Sequence, residues 1–418
     1  MEKHHQIVII GAGTAGITVA AQLLRENKKL DIAIIDPAAK HYYQPAWTLV
    51  GAGTYDFEDT ERDMADVIPK GATWIQEAVT GVDPDNNSVT TGDGTTITYD
   101  YLVACPGIKY DFDAIEGLAE TIDKNEVCSN YTDSCYTWEV LQNFKGGIAL
   151  FTQPATPIKC GGAPQKIMYL ADDYFRKQGV RDQSEVVFVT PGSVIFGVEP
   201  FKSTIEKVVD RKGIQLRFFH KLTKIDYKNK KAYYTIMKNA DDPDKLYHNF
   251  KDLGEEKISK TEVAIPYDML HLAPPQTAPD FIRQSKLAND EGWIDVNKYT
   301  LQHMRYPNVF GLGDAAGIPT AKTGAAVRKQ APVVVSNLMH VMHHDGVLEE
   351  GYHGYSSCPL VTGYGKMVLA EFNYDNERDS DPLISTFVDT SKEKYSMWLL
   401  KKYGLPFLYW NLMLKGRA

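Results

Sequence analysis

The sequence predicts an α/β protein with two Rossmann-like units, and three observations carry that reading. An apolar strand over residues 6–10 runs into Gly11-Ala12-Gly13-Thr14-Ala15-Gly16, then a helical pattern through Leu24, then a second apolar strand over residues 32–35 that ends in Asp36. A second alternation of strands and helices covers residues 146–272, clearest at the strands 148–152 and 185–190. Asn308-Val309-Phe310-Gly311-Leu312-Gly313-Asp314 then returns to a strand and a glycine turn. At 418 residues the chain is long enough for two or three cores.

In the first βαβ unit each glycine has a task. Gly11 makes the tight turn, Gly13 lets the backbone approach a pyrophosphate, and Gly16 lets the helix pack closely on the strand. The pyrophosphate then rests on the amides of a helix N-terminus, which makes Gly11, Gly13, Thr14 and Gly16 the candidate contacts. Asp36 lies 20 residues past Gly16 at a strand end, where an acid accepts from a ribose 2′-hydroxyl. A glycine turn of purely structural use is the competing reading. The ordered set of strand, glycines, helix, strand and acid outweighs it. Further on, strands at 88–91 and 96–99 flank Gly92-Asp93-Gly94 as a hairpin, and 101–104 is a buried strand closed by Pro106-Gly107. Residues 238–262 are polar and charged and read as an insertion or long hairpin.

The middle unit has no second glycine signature. The expected places read Phe151-Thr152-Gln153-Pro154-Ala155-Thr156 and Thr190-Pro191-Gly192-Ser193-Val194-Ile195-Phe196-Gly197, and Pro154 and Pro157 remove amides that would cradle a phosphate. The expectation is a domain that keeps the fold without binding nicotinamide.

Composition excludes several classes. The net charge of −9 argues against a general nucleic-acid binder. Five cysteines without CxxC spacing imply neither a zinc site nor a disulfide scaffold. His340, His343 and His344 read as capping or solvating a helix end, so no metal is expected. No signal peptide is expected, since the first residues lead into a strand, and no apolar run is long enough for a transmembrane helix.

Two of the cysteines stand out. Cys160 precedes Gly161-Gly162-Ala163-Pro164, with Pro164 placed to open a helix whose apolar positions are Ile167, Leu170, Ala171, Tyr174 and Phe175. The helix dipole and the adjacent Lys159 would stabilise a thiolate at Cys160, against the alternative of a buried structural cysteine. Cys358 lies in Tyr355-Ser356-Ser357-Cys358-Pro359-Leu360-Val361-Thr362-Gly363-Tyr364. A thiol pair beside a flavin can move two electrons between sulfur and another carrier.

Pro307-Asn308-Val309-Phe310-Gly311-Leu312-Gly313-Asp314 resembles the C-terminal flavin motif of two-dinucleotide-domain flavoproteins, which points to FAD rather than NAD. The stretches 156–170 and 357–364, together with Tyr42-Tyr43-Gln44-Pro45, residues 47–53 and Pro406-Phe407-Leu408-Tyr409-Trp410-Asn411, resemble sulfide:quinone oxidoreductases of the mitochondrial-type group, nearly end to end. The resemblance implies two Rossmann-like domains of the disulfide-reductase flavoprotein type and a C-terminal membrane-contacting helical segment. It places the FAD-binding domain at 1–110 and 300–345, the second Rossmann-like domain at 111–299, and a C-terminal segment at 346–418. It implies that Cys160 and Cys358 are the redox pair, bridged at rest by a disulfide or trisulfide. It also implies that Asp314 bonds the ribityl chain, that Lys322 and Gln44 contact the cofactor, and that Lys401 and Phe407 lie at the quinone. Cys105 and Cys135 read as packing residues. Cys128 departs from the group's pattern, and its participation stays open.

The activity implied is oxidation of hydrogen sulfide to sulfane sulfur, handed to an acceptor, with electrons passed through FAD to a membrane quinone. Type II NADH:quinone reductase, a soluble flavocytochrome-type sulfide dehydrogenase subunit, and a non-enzymatic FAD scaffold are the alternatives. From Ser391 onward there are six basic residues, one acid and six aromatics, the composition of an interfacial anchor. Trp398, Leu399, Leu400, Leu405, Phe407, Leu408, Trp410, Leu412, Met413 and Leu414 are expected to supply its apolar area. The expectation is a monotopic, peripheral protein on the cytoplasmic or equivalent membrane face. A homo-oligomer is left open.

Overall fold

A computed structural model of the chain describes residues 3–237, 245–343 and 348–418. His344 and residues 238–244 of the predicted insertion lie outside the described residues. The first sheet is built on β1 (Lys3–Ile10), followed by α1 (Thr14–Glu26) and β2 (Ile32–Ile35). β1 and β2 are parallel, with Ile10 opposite Ile35. The strands expected at 96–99 and 101–104 are one continuous strand, β3 (Thr96–Ala104), parallel to β1. Its first half alternates between exposed and buried residues where it pairs with the Ser88–Thr91 hairpin strand, and its last three residues are wholly buried in the sheet centre. Val309–Gly311 adds to the far end of β3 in parallel, so the chain returns to its first sheet late in the sequence.

In the second sheet, β4 (Gly147–Thr152) lies between the parallel strands Met269–Leu272 and Ser184–Val189. Loop 153–162 then leads to α2 (Ala163–Gln178), in which Pro164 is the second residue rather than the first. Of the polar insertion, Tyr247–His248 pairs antiparallel with Gln215–Arg217 at the edge of this sheet. Glu256–Lys257 joins a separate four-stranded antiparallel sheet. α3 (Gly324–His343) is followed by the hairpin β5 (Ser356–Gly363) and β6 (Lys366–Phe372), with Cys358 opposite Ala370.

The tail corrects one expectation. Trp398, Met413 and Leu414, expected to supply apolar area to the anchor, are packed inside the protein. Short helices Tyr395–Leu399 and Leu405–Asn411 flank a π-helical turn, Leu400–Gly404, and Met397, Trp398, Pro406 and Tyr409 of the two helices are buried. Trp398 is 7% exposed, Met413 3% and Leu414 1%. Met397 and Trp398 join the core around Cys358 and Leu360, whereas Tyr409, Met413 and Leu414 join the core of the first sheet. The sequence pattern could not separate the two fates, because a helix packed on one face and wet on the other carries aromatics on both.

Candidate active site

Cys160 and Cys358 come from different elements and meet over the first turn of α2. Cys160 ends the loop that replaces a glycine signature after β4. Its φ of +54° is left-handed, an uncommon conformation for a residue with a side chain. Three hydrogen bonds hold it there: its amide donates to Lys322 O at 2.7 Å, and its carbonyl accepts from Ala163 N at 2.8 Å and from Tyr131 Oη at 3.1 Å. Gln276 Oε1 accepts from the neighbouring Lys159 amide at 2.8 Å. Cys358 arrives on β5, whose Ser356 Oγ lies 2.9 Å from Thr323 Oγ1. A Cβ on Gly162 would collide with Cys358 Sγ and come within 2.8 Å of Leu360 Cδ2. Glycine at the N-cap of α2 is what lets the hairpin close on the loop. Both residues are free cysteines here, and their thiols hydrogen-bond each other.

The electrostatics are asymmetric. The hydrogen bond from Cys358 holds the Cys160 thiol well below its ordinary range against the cost of burial, with Lys166 and Lys401 adding to the effect. The same hydrogen bond and burial push Cys358 well above its range. Of the two, Cys160 is the thiol held down and Cys358 the thiol pushed up. Sequence reasoning placed Lys159 beside it, and the structure corrects this. Lys159 Nζ donates to Gln44 Oε1 at 2.6 Å, while Lys166 Nζ donates to Cys160 Sγ at 2.9 Å. Lys166 is 2% exposed; burial opposes its charge, but both cysteines outweigh burial and raise its pKa. The available signal was its position one turn into the helix that Pro164 announces.

Lys401 is a second buried ammonium, also 2% exposed, with Nζ donating to Pro45 O at 2.7 Å. Burial and the repulsion of Lys166 bring it down to about 7, partly offset by the two cysteines. It faces the sulfur site rather than the surface. Phe407, paired with it in the sequence reading, is 63% exposed.

The dinucleotide residues sit as the motif requires. A Cβ on Gly13 would meet nothing within 4 Å, whereas on Gly16 it would strike Gly11 O, so one glycine leaves open space and the other permits contact. Asp36 accepts from Ala12 N at 2.7 Å and Ala38 N at 2.8 Å, which fixes it at the end of β2. Asp314 lies on the turn after Val309–Gly311, half-buried, and its carboxylate accepts no hydrogen bond from the described residues. Burial raises its pKa, opposed by Lys159 and Lys322. Lys322 Nζ donates to Asp314 O at 2.6 Å and to Ala316 O at 3.1 Å and lies 4.0 Å over the Trp293 ring, with burial bringing it down to about 8. An open cradle at Gly13, a fixed acid at the second strand and an unsatisfied carboxylate near two lysines fit FAD.

The other three cysteines differ in their surroundings. Cys128 is fully buried, and burial raises its thiol above the ordinary range. Cys105 is buried with Sγ 3.8 Å from Gly11 O, and Cys135 is exposed near the start of a helix. Among the described residues no group of three or more His, Cys, Asp or Glu side chains is arranged to hold a metal ion.

Residues 5–142 match the family described as pyridine nucleotide-disulphide oxidoreductase. The mitochondrial sulfide:quinone oxidoreductase of Dictyostelium discoideum is 43% identical over 418 residues, covering 99% of this chain and 86% of its own length. That of Mus musculus is 40% identical over 417 residues, covering 99% and 87%. The X-ray structure of the sulfide:quinone oxidoreductase from Aquifex aeolicus superposes with a TM-score of 0.70 over 97% of this chain and 91% of that one, at 21% identity, which shows a shared fold. The chain thus belongs to the sulfide:quinone oxidoreductase family of FAD-dependent flavoproteins.

Proposed function

We propose that this protein oxidises hydrogen sulfide to sulfane sulfur at Cys160 and Cys358 and delivers the two electrons to a membrane quinone. The observation that carries the reading is the asymmetric thiol pair, with the Cys160 sulfur held low by Cys358 and by the buried Lys166 while Cys358 is pushed up. In thiol–disulfide exchange the sulfur of lower pKa leaves faster. With the pair bridged, hydrosulfide attacks Cys358 and the bond to Cys160 breaks. The product is a Cys358 persulfide and a Cys160 thiolate, so one negative charge enters and one remains. Lys166 receives that charge at Cys160, and Lys401 adds positive field while it is protonated. A nucleophilic acceptor then takes the outer sulfur of the persulfide and leaves the Cys358 thiol. Gly11, Gly13, Thr14, Gly16, Asp36, Gln44, Asp314 and Lys322 would hold FAD, which would supply the two-electron acceptor between the thiols and the quinone.

Two features favour sulfide over NADH as the donor. Loop 153–162 carries Cys160 where a nicotinamide domain carries its glycines, and Gln165 of α2 donates to Ile195 O at 2.6 Å, closing loop 191–200 over the helix start. Leu360 Cδ2 of the cysteine hairpin would lie 2.8 Å from a Cβ on Gly162 at the helix start. The middle domain thereby gives its phosphate cradle to the thiols.

The quinone is proposed to enter from a membrane surface that begins earlier than Ser391. Leu383 (73% exposed), Phe387 (80%), Tyr395, Leu399, Tyr403 and Phe407 present apolar side chains to solvent, and Lys392, Lys394 and Lys402 lie among them in sequence. No helix among the described residues is long and apolar enough to cross a membrane, which suits contact with one leaflet. An anaerobic titration tests the function. Stoichiometric sulfide should bleach the flavin and a short-chain quinone should restore it, whereas NADH should do neither. Bleaching by NADH and not by sulfide would overturn the proposal.

A further inference from the structure

We propose that Tyr409 and His41 are positioning residues of the dinucleotide loop, so that the C-terminal tail is part of the FAD site. The idea rests on the cofactor reading above. His41 Nδ1 lies 3.0 Å from Ala12 O, and its Nε2 lies 2.6 Å from Tyr409 Oη, which lies 2.8 Å from Thr14 Oγ1. These contacts span both sides of Gly13. Donor arithmetic sets their direction. A carbonyl only accepts, so Nδ1–H donates to Ala12. Burial keeps the ring neutral, so Nε2 accepts from the Tyr409 hydroxyl. Tyr409 has one proton and has given it away, so it accepts from Thr14. The Thr14 hydroxyl is committed to Tyr409, and the group it offers an anionic pyrophosphate is its main-chain amide, at the first turn of α1.

The surroundings favour a fixed relay. Tyr409 is 4% exposed and His41 4% exposed, and the Tyr409 ring packs 4.7 Å from that of Tyr43. Beyond it, Met413 and Leu414 are buried in the same core, and Gly416 crosses α1 so closely that a Cβ would lie 2.9 Å from Ala21 C. The helix Leu405–Asn411 therefore has two working faces, with Phe407 outward and Tyr409 inward on the glycine loop.

The test measures FAD dissociation constants by flavin fluorescence on full-length protein stripped of FAD and titrated back. Tyr409→Phe removes the hydroxyl and both of its relay hydrogen bonds, and should weaken FAD roughly five- to thirtyfold, at about 1 kcal/mol for each. Thr14→Val breaks the same relay from the other end and should cost a similar factor. Because both variants remove one relay, the double variant should bind no more weakly than the weaker single one. Wild-type affinity in Tyr409→Phe, or two losses that multiply in the double variant, would overturn the relay. Wild-type protein that takes up no FAD would instead overturn the cofactor assignment beneath it.

Discussion

Replacing Lys166 with Met keeps the length and apolar stem of the side chain and removes the ammonium that lies 2.9 Å from Cys160 Sγ. A hydrogen bond to a charged group contributes about 1.5–3 kcal/mol. At an effective dielectric near 20, Coulomb's law sets an upper bound of about 6 kcal/mol for charges at that separation. The lower range is the appropriate one, because Lys401 remains and relieved repulsion lets it stay protonated to higher pH. About 1.5–3 kcal/mol is a roughly ten- to hundredfold loss of Cys160 thiolate at fixed pH. The assay is the rate of Cys160 alkylation by iodoacetamide against pH, in reduced protein carrying Cys358→Ser with and without Lys166→Met. That background also removes the hydrogen bond from Cys358, so only the change due to Lys166 is compared. The profile should move to higher pH in the Lys166→Met protein. Superimposable profiles would refute the claim that Lys166 helps to hold the Cys160 thiolate.

Other outcomes follow from the same geometry. Cys160→Ser and Cys358→Ser should each abolish sulfide:quinone turnover while the purified proteins stay yellow with FAD, and Cys135→Ser, on the exposed start of a helix, should leave turnover unchanged. Gly162→Ala should cost about 1–3 kcal/mol in chemical denaturation and lower turnover, because the new methyl occupies the space of Cys358 Sγ. Lys401 has an ordinary pKa of 10.5 and a folded one of about 7, so between these values the unfolded chain binds a proton that the folded chain does not. Stability should therefore rise with pH across that window by up to about 1.4 kcal/mol per unit from this group, and Lys401→Met should flatten the rise in denaturant midpoints measured at pH 7 and 9. Leu383→Ser with Phe387→Ser should weaken binding to anionic liposomes by roughly a hundredfold, as expected if two apolar side chains leave the interface. Unchanged co-sedimentation would place the membrane surface elsewhere.

How much of this was legible in the sequence depended on range. The first βαβ unit could be read residue by residue, because Gly11, Gly13, Gly16 and Asp36 are dictated by local backbone chemistry. β2 ends where the acid predicted, and Asp36 caps it through Ala12 and Ala38. The loop around Cys160 was legible as a helix entrance, yet its partner was not. Sequence adjacency favoured Lys159, but the left-handed turn at Cys160 sends Lys159 toward Gln44 and leaves the sulfur over α2, within reach of Lys166. Lys401 and Tyr409 lie in the tail that the resemblance singled out, but their partners were not legible, since both act through contacts with Pro45, His41 and Thr14 hundreds of residues away. The tail was legible as amphipathic but its depth was not. Phe407 and Tyr409 are both aromatics in a basic stretch, and only packing against α1 and the glycine loop distinguishes the outward one from the inward one.

The tail's double role changes how its membrane contact should be tested. Truncation before Ser391 would remove Lys401, Tyr409, Met413 and Leu414 together, and so would remove a buried charge near the thiols and part of the first core. Loss of quinone reduction in such a protein would not separate anchoring from cofactor retention. Single exposed substitutions at Leu383 and Phe387 do separate them.

The most direct measurement is the location of the sulfur after one turnover. Full-length oxidised protein is mixed anaerobically with one equivalent of sulfide in the absence of acceptor, alkylated, digested and analysed by mass spectrometry. The extra sulfur should be on the peptide bearing Cys358, with Cys160 recovered as an alkylated thiol or back in the bridge. A persulfide found on Cys160, with Cys358 recovered as the free thiol, would contradict the assignment of leaving group and acceptor.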